Sequence, residues 1–468
     1  MKALKGILEN IIEPRGCPAP ARAFFSNSAL RRLIVPILIE QFLALAVGLI
    51  DTMMISYAGE SAVSGVALVN QLNNVFILFF TSLASGGAVV ASQYVGAGER
   101  ENGLSASGQL ALVVSIVSCA FMAGVLLWGK GLFTLVFGQV ESDVRADGLA
   151  YLRITALSFP ALALYNACSA IFRSMGRTRE VMYTSILMNA VNIVGNAIGI
   201  FALHAGVQGV AWPTLIARVI AALIMLTLLC DRRRTLYLDA RHVLAWRPEM
   251  ILRIFRIAAP SALEHGLFHV AKVGLSSLVA TFGTAQIAAN GVAQSFWSLG
   301  FLVNNAMGPV FITVIGQCMG AQDIPAARYY MKKLIRLTVT ASVAWSLGFL
   351  AITPLLLRLY DLQPETVRLV LLLCAMHNVF DGLLCPISYS LSDGLRAAGD
   401  VRFTLLSAVF STVVCRVALA LLFGAALGMG VVGVALAMVL DWAIKAALTY
   451  ARYRGGKWEH FRVIQESR

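Results

Sequence analysis

Charged residues are scarce in this sequence: only 13% of its 468 residues are Asp, Glu, Lys or Arg, about half the share in an ordinary soluble domain. Proline is sparse at 13 residues, and the 39 glycines follow no period, which excludes collagen-like and low-complexity disordered chains. Hydrophobic residues make up 59% of the chain, and apolar runs of about twenty residues recur along it. These features predict an all-helical integral membrane protein.

The chain also lacks the motifs of catalysis and of metal or disulfide chemistry. Its eight cysteines form no C-x-x-C pair and lie mostly inside apolar runs, where they are typical of small packing residues. It contains no H-E-x-x-H, P-loop or nucleophile elbow. We therefore expect no cofactor and no enzymatic activity, with an integral membrane enzyme as a distant alternative.

Twelve apolar stretches are long enough to cross a bilayer as helices. The first six are predicted near Leu33 to Ser56, Val63 to Ser92, Ala106 to Trp128, Leu149 to Phe172, Val181 to Leu203 and Gly209 to Cys230. The second six are predicted near Ile257 to Thr281, Ile287 to Ile315, Leu334 to Leu357, Val367 to Leu391, Phe403 to Phe423 and Gly430 to Tyr450.

Lysine and arginine between these spans are concentrated on one side of the predicted membrane. Both chain ends and the segment 231–256 belong to that side. By the positive-inside rule, both termini are expected to be cytoplasmic in a multi-pass protein of a bacterial-type inner (plasma) membrane. The net charge of +13 therefore reflects topology, and we expect no nucleic-acid partner.

Several proline, glycine and polar residues recur at an offset of about 224 positions. Pro36 and Glu40 reappear as Pro260 and Glu264. Further repeated features are QYVGA and QCMGA, Arg173-x-x-Gly176 and Arg396-x-x-Gly399, and GVQGVA and GVVGVA. Because each half contains an even number of spans, the halves enter the membrane in the same orientation. The sequence predicts two six-helix lobes related by a parallel internal repeat.

The repeat divides the chain into three regions. Residues 1–231 are predicted to contain an N-terminal amphipathic segment and the N-lobe, 232–256 a basic cytoplasmic linker, and 257–468 the C-lobe and tail. The amphipathic segment is predicted from apolar residues at helical spacing before Pro14, namely Leu4, Ile7, Leu8, Ile11 and Ile12. Two lobes joined by a flexible segment suit alternating access.

Two carboxylates stand out in the first span, because burying a charge in a membrane is costly. Glu40 and Asp51 are eleven residues apart, a spacing that returns a helix to nearly the same face. Asp51 is predicted to bind a proton or a sodium ion, and Glu40 to add charge to a substrate cavity. Alternatively, either carboxylate accepts hydrogen bonds at a helix interface.

Asparagines accompany these carboxylates. Asn189, Asn192 and Asn196 share one face of the fifth span, and Asn166 lies in the fourth. Amide oxygens around a carboxylate are typical of a hard-cation site. The alternative is that these amides join membrane helices through hydrogen bonds.

The second half contains its own ionisable cluster. Its members are Glu264, His265, His269 and Lys272 on the seventh span and His377 and Asp381 on the tenth. They are predicted to form a protonatable network beside the cavity, or else a structural ion pair of Lys272 with Glu264 or Asp381. Asp441 and Lys445, at i and i+4, are expected to neutralise each other.

In order and spacing, the motifs of this chain resemble those of the multidrug and toxic compound extrusion (MATE) family. The resemblance extends from Leu33 to Trp458 and is carried by VGLIDTMMISYAG, QYVGAGE, IFRSMGRTREVMYTSILMNAVNIVGN, LRAAGDVRFT and GVALAMVLDW. It implies two helical bundles around a central cavity and export of cationic drugs against a sodium or proton gradient.

The resemblance also implies site residues. The family uses an Asp on the first helix, an Asn on the fourth, and an Asn and an Asp on the fifth, which correspond here to Asp51, Asn166, Asn192 and Asn196. Asn196 departs from this pattern and removes one negative charge, which favours proton coupling through Asp51. In a sodium-coupled protein, Asp51 and Asn192 would be the metal ligands.

Together these observations predict a secondary antiporter that exports cationic or lipophilic toxic compounds in exchange for H⁺ or Na⁺. Its expected partners are small organic cations and membrane lipids, and a monomer is the working expectation. A flippase for lipid-linked precursors is the alternative within the transport class. A flippase would need a basic cavity to hold pyrophosphate, whereas the first lobe is predicted to be acidic.

Overall fold

The computed structural model describes Glu13 and residues 24–138, 140–358, 360 and 362–464. Within these residues the fold consists of helices joined by short turns, and no strand occurs. This agrees with the all-helical prediction. The predicted amphipathic segment at residues 4–12 lies outside the described residues.

Seven helices cover the first repeat. They are α1 (Asn27–Ser56), α2 (Glu60–Ala97), α3 (Arg100–Phe137), α4 (Ser142–Leu157), α5 (Phe159–Ser174), α6 (Thr178–Ala197) and α7 (Gln208–Leu229). A π-helical turn, Ile198–Ala202, extends α6. The short α8 (Ala240–Leu244) follows, capped by the Asp239 side chain, which accepts a hydrogen bond from the Arg241 amide.

The helices of the second repeat are α9 (Pro248–Ala280), α10 (Thr284–Gly300), α11 (Leu302–Gly320), α12 (Ile324–Leu357), α13 (Pro364–Cys385), α14 (Leu391–Ala398), α15 (Val401–Ala408), α16 (Val417–Ala420) and α17 (Gly430–Arg454). This repeat also contains three π-helical segments. Pro386–Ser390 connects α13 to α14, Val409–Arg416 connects α15 to α16, and Leu421–Ala426 extends α16.

Ten helical segments of the described chain are long and apolar enough to cross a membrane, or eleven when α4 and α5 count as one span. The seventh predicted span, Ile257 to Thr281, falls on α9 and does not qualify by composition. Glu264, His265, His269 and Lys272 lie in this helix, and such ionisable residues lower its hydropathy. The all-helical, many-span prediction therefore stands, with eleven of the twelve spans supported by length and composition.

Two predicted spans are interrupted helices. The fourth, Leu149 to Phe172, is divided at Ser158 into α4 and α5, which meet at 46°. Pro160 follows directly at the start of α5, where its missing N–H costs no helical hydrogen bond. The eighth, Ile287 to Ile315, is divided at Phe301 between α10 and α11.

The described chain forms two compact units. One comprises Asn27–Ala262, and the other comprises the described residues from 263 to 464 together with Glu13 and residues 24–26. In the first unit α2 packs against α4 and α5, and α6 packs against α1 and α7. In the second unit α13 packs against α10, α12 and α17, and α11 packs against α14.

The segment predicted as a linker, 232–256, is bonded to α3 within the first unit. The Gln109 side chain donates to the carbonyl oxygen of His242 at 2.8 Å and accepts from the amide of Arg247 at 3.1 Å. The Arg100 guanidinium donates to the carbonyl oxygens of Arg232 and Arg234 at 3.2 and 3.1 Å. Much of this basic segment is therefore held against α3 by hydrogen bonds.

A π-helical insertion explains a change in the repeat offset. Arg179 and Arg402 are 223 positions apart, whereas Gly206 and Gly430 are 224 apart. The π-helical segment Val409–Arg416 lies between Arg402 and Gly430. A π-bulge accommodates one extra residue in a helix, so the second repeat regains the original offset there.

Both repeats have glycine at a close approach of their fifth and sixth segments. A Cβ atom on Gly199 would lie 2.7 Å from the Gly209 Cα atom, and one on Gly433 would lie 2.6 Å from the Phe423 carbonyl carbon. Gly209 and Gly433 are 224 positions apart. Small residues allow helix backbones to meet in membrane bundles, so this contact is repeated within each half.

We predict that Gly199→Leu and Gly433→Leu lower the midpoint of thermal unfolding of the purified protein. Overfilling a packed contact costs about 1–3 kcal/mol or more. Gly131→Ala is the matched control, because its added Cβ atom has no neighbour within 4 Å. Unchanged midpoints for both leucine variants in scanning fluorimetry would show that these contacts do not support the fold.

Candidate ion-coupling and substrate sites

Asp51 lies near the C-terminal end of α1, half-buried within the first unit. The Asn196 side-chain nitrogen, from α6, donates to the Asp51 Oδ1 atom at 2.8 Å. Asn196 is completely buried. A neutral amide therefore reaches the carboxylate, and no salt bridge to Asp51 is found among the described residues.

Asn192 completes the contact from one helical turn earlier. With its amide nitrogen toward Asp51, Asn192 donates to the two carboxylate oxygens at 3.0 and 3.2 Å, and its oxygen accepts from the Thr214 hydroxyl at 3.0 Å. Thr214 belongs to α7. Three helices thus meet at one carboxylate, and the i,i+4 spacing of the two asparagines on α6 brings both amides to it.

This arrangement suits a carboxylate that changes its charge. An asparagine side chain offers donors on its nitrogen and an acceptor on its oxygen. The same amides can therefore donate to a charged Asp51 or, after rotation, offer oxygens to a small cation bound there. No cluster of three or more His, Cys, Asp or Glu suited to a metal ion occurs in the described part of the chain.

The other two asparagines are not drawn into this contact. Asn166 lies on α5, half-buried, and makes no hydrogen bond to Asp51, Asn192 or Asn196. The Asn189 side-chain nitrogen is buried without a hydrogen-bond partner among the described residues. The structure therefore assembles three of the four residues that the resemblance implied.

Glu40 is bound by a different helix from the one that binds Asp51. The Arg173 guanidinium, on α5, donates to the Glu40 Oε1 atom at 2.6 Å, and Glu40 is 7% exposed. The positive charge of Arg173 compensates the carboxylate at this position. Sharing one face of α1 therefore does not bring Glu40 and Asp51 into one site.

The same pair recurs in the second unit. The Arg396 guanidinium donates to the Glu264 Oε2 atom at 2.7 Å, and the Lys445 ammonium donates to its Oε1 atom at 3.0 Å. Arg396 also donates to Asp393 at 2.7 Å. Glu264 therefore lies in a buried network of two cations and two carboxylates.

The expected pair of Asp441 with Lys445 is wrong, and the alternative pair of Lys272 with Glu264 does not form. Lys445, not Lys272, binds Glu264, and Asp441 pairs with Arg416 instead of Lys445. The Arg416 Nε atom donates to the Asp441 Oδ2 atom at 2.8 Å. Neighbouring helices compete for each charge, so spacing along a single helix does not determine its partner.

The histidines of α9 and the polar pair of α13 have contrasting environments. His265 and His269 are exposed, whereas His377 and Asp381 are 2% and 0% exposed. Neither ring nitrogen of His377 and neither oxygen of Asp381 forms a hydrogen bond of normal geometry with a described residue. Buried polar groups are usually satisfied, so this pair remains a functional candidate.

Sequence reasoning did not identify three of the partners. Arg173 and Arg396 were recognised as repeated residues but not as partners of Glu40 and Glu264. Both arginines recur in the second half, 223 positions later, as both glutamates recur 224 positions later, and the two residue types have opposite charges. This shared recurrence was a usable signal for pairing. Thr214 had no comparable signal, because only the packing of α6 against α7 brings it to Asn192.

Comparison with known proteins agrees with the repeat and the fold. The MatE family model matches residues 36–198 and 260–422, two segments with the same offset of 224 positions. An outward-facing multidrug resistance MATE family transporter of the MOP superfamily superposes with a TM-score of 0.86 at 21% identity, covering 97% of this chain and 98% of that one. The two-repeat fold is therefore shared.

Two bacterial proteins are similar to this chain over most of its length. An uncharacterised transporter of Bacillus subtilis, YisQ, is 27% identical, covering 93% of this chain and 98% of its own. A probable multidrug resistance protein NorM of Thermotoga maritima is 22% identical, covering 94% of each chain. The chain belongs to the MATE family of membrane transporters.

Proposed function

We propose that this chain is a secondary antiporter that exports cationic or lipophilic organic compounds in exchange for H⁺ or Na⁺. Membership of a transporter family supports the general class. The observation that carries the coupling role is Asp51, a half-buried carboxylate that is held by two neutral amides and forms no salt bridge with a described residue. Such a group is free to exchange one positively charged partner for another.

The contacts of Asp51 suggest how ion binding changes the protein. A charged Asp51 accepts hydrogen bonds from Asn192 and Asn196, which connects α1 to α6. A proton on the carboxylate weakens its acceptor strength, because hydrogen bonds to charged groups are the stronger ones. The same proton removes the negative charge that attracts a substrate cation. Ion uptake is thereby linked both to substrate release and to a helix contact.

Competition for one carboxylate produces exchange when the site opens alternately to the two sides of the membrane. We propose that the two repeats act as lobes, with 1–231 containing the N-lobe, 232–256 the linker and 257–468 the C-lobe and tail. An inward-negative membrane potential favours cation entry. No cofactor is required, and a monomer suffices for this scheme.

We predict that Asp51→Asn reduces gradient-driven efflux to about a tenth or less, because the neutral side chain of the variant cannot change its charge. A coupling free energy between the ion and the substrate is typically about 1–3 kcal/mol, and losing about 1.4 kcal/mol of it corresponds to a tenfold change. The assay follows a fluorescent lipophilic cation leaving proteoliposomes under an imposed proton or sodium gradient at matched membrane potential. Asp143→Asn is the control, since Asp143 is an exposed carboxylate of the same unit. Efflux by Asp51→Asn at the wild-type rate would exclude the coupling role.

The two gradients also separate the coupling ions and the alternative function. Asp51-dependent efflux with sodium alone would assign Na⁺, and efflux with protons alone would assign H⁺. If neither gradient drives movement of the cation, the result would favour a flippase for lipid-linked precursors.

We predict that Asn196→Asp increases the sodium dependence of efflux. The variant adds a second carboxylate beside Asp51, and hard cations bind more tightly as the ligand charge increases. Asn189→Asp is the matched control, because it adds the same charge on the same helix without a bond to Asp51. An equal response of both variants to sodium would show that position 196 has no special part in ion choice.

We also propose that both termini are cytoplasmic, in a plasma membrane of bacterial type. Single cysteines at Arg233 and Ser142, both exposed, test this in a background in which all eight native cysteines are replaced by serine. A membrane-impermeant maleimide is expected to label Ser142→Cys in intact cells and Arg233→Cys only after the membrane is opened. The reverse pattern would invert the topology.

A further inference from the structure

The chain that follows α7 presents two large apolar side chains outward from the first unit. Leu244, the last residue of α8, is 76% exposed, and Trp246, two positions later, is 63% exposed. Arg241 and Arg247, which flank them in the sequence, are exposed as well. We call residues 240–247 the α8 segment. Apolar and cationic side chains are found together in this way at membrane–water interfaces.

The α8 segment is held firmly by α3. The Gln109 side-chain nitrogen donates to the carbonyl oxygens of His242 and Ala245 at 2.8 and 2.5 Å. The Gln109 oxygen accepts from the Arg247 amide at 3.1 Å. A Cβ atom on Gly108 would lie 2.6 Å from the His242 carbonyl carbon, so the two backbones are in close contact. The outward orientation of the two apolar side chains is therefore determined by backbone contacts.

This contact lies at the edge of the apolar part of α3. Residues 110–128 of α3 contain no charged side chain and extend for about 28 Å at about 1.5 Å per residue. The hydrocarbon core of a bilayer is about 30 Å thick. Gln109 directly precedes this apolar run, and Trp128, at its other end, is 71% exposed. Tryptophan is enriched at both membrane interfaces, so the register of α3 places the α8 segment at one of them.

The charge around the α8 segment suits an anionic surface. Residues 232–256 include seven arginines and two acidic residues, Asp239 and Glu249. Asp239 lies 3.7 Å from the Arg232 guanidinium. Anionic lipid headgroups attract arginines close to a membrane, and the planar guanidinium group matches the geometry of a phosphate.

A soluble protein partner suits this surface less well. A stable protein–protein interface buries about 800 Å² on each partner. In the α8 segment, only Leu244 and Trp246 are exposed large apolar side chains. Two such side chains are few for a protein interface, but they are sufficient to enter the headgroup layer of a bilayer.

We propose that the α8 segment is an interfacial anchor, in which Leu244 and Trp246 enter the lipid leaflet on the side where α3 begins. Arg241 and Arg247 contact the headgroups of anionic phospholipids in that leaflet. The anchor lies in the chain that leads from α7 to α9, so it attaches the connection between the repeats to one leaflet. This inference goes beyond the proposed exchange and uses no residue of the Asp51 site.

Bromolipid quenching tests the insertion. Leu244→Cys, in the full-length protein with all native cysteines replaced by serine, is labelled with bimane and placed as a single copy in phosphatidylcholine nanodiscs. An interfacial helix is buried about 5–10 Å into the boundary of headgroups and acyl chains. Bromine near the headgroup is therefore expected to quench the label about twofold or more strongly than bromine near the end of the acyl chain. Trp246→Cys repeats the measurement, so that a local folding defect in one variant does not decide the result.

Arg233→Cys is the matched control from the same basic segment. Arg233 is exposed, and its neighbours Arg232 and Arg234 accept hydrogen bonds from Arg100 through their carbonyl oxygens. Arg100 precedes Gln109 by nine residues, or about 13.5 Å along α3. We therefore expect a label at position 233 to be quenched by iodide in water and not by bromolipid.

Two results would overturn the anchor. Labels at positions 244 and 246 that respond to iodide but not to bromolipid would show that these side chains face water. Labels that respond to neither quencher would show that protein covers the surface, because each nanodisc holds one copy and no partner.

A second comparison tests the preference for anionic headgroups. A small, fixed fraction of brominated phosphatidylglycerol or brominated phosphatidylcholine is added to the nanodiscs. We expect about fivefold enrichment of the anionic lipid near position 244, the factor that corresponds to about 1 kcal/mol for one arginine near an anionic surface. The double variant Arg241→Gln/Arg247→Gln is expected to abolish the enrichment, and Arg241→Lys/Arg247→Lys to keep it.

Equal quenching by the two lipids, or an enrichment that survives the double glutamine variant, would overturn the assignment to anionic headgroups. These measurements require no transport. Failure of gradient-driven efflux would therefore leave them unaffected, and the two proposals are tested separately.

Discussion

A charge inside a membrane-spanning bundle needs an opposite charge or a function, because the bilayer core cannot solvate it. Most charges of this chain meet the first condition: Glu40 pairs with Arg173, and Glu264 pairs with both Arg396 and Lys445. An exception is informative for that reason. Asp51 has only neutral hydrogen-bond donors among the described residues. The proposed coupling role follows from the contacts of Asp51.

The two repeats share their packing contacts but differ in the charge of the side chains at corresponding positions. In each, a glutamate on the first helix pairs with an arginine on the fourth segment, and a glycine allows the fifth and sixth segments to meet. These contacts determine how helices pack within a half, and they are kept. At the offset of 224 positions, Asp51 and Asn192 of one half correspond to Leu275 and Arg416 of the other. Repetition thus preserved the packing contacts while the binding chemistry of the halves diverged.

Irregular helix segments occur beside the Asp51 site and beside a buried ion pair. The π-helical segment Val409–Arg416 ends at the arginine that pairs with Asp441, and the turn Ile198–Ala202 begins just after Ala197, the residue that follows Asn196. At the break between α4 and α5, the Arg218 guanidinium donates to the Ser158 hydroxyl at 2.7 Å. Backbone groups freed from regular helix pairing inside a membrane must find other partners, and π-bulges are frequent at functional sites. The irregularities are therefore consistent with local adjustment during binding.

The sequence alone determined the fold class and the internal repeat, because hydropathy and the spacing of recurrent residues can be read directly from the chain. It also predicted that Asn192 and Asn196 lie near Asp51, but not that Asn166 makes no contact with it. It did not determine ion-pair partners: Asp441 and Lys445 have suitable spacing, yet each binds another helix. Nor did spacing show that Arg173 neutralises Glu40 or that the segment after α7 lies on α3. These features depend on which helix faces meet. Only tertiary packing decides which faces meet, because the partner of a buried charge depends on all the side chains that the fold places around it.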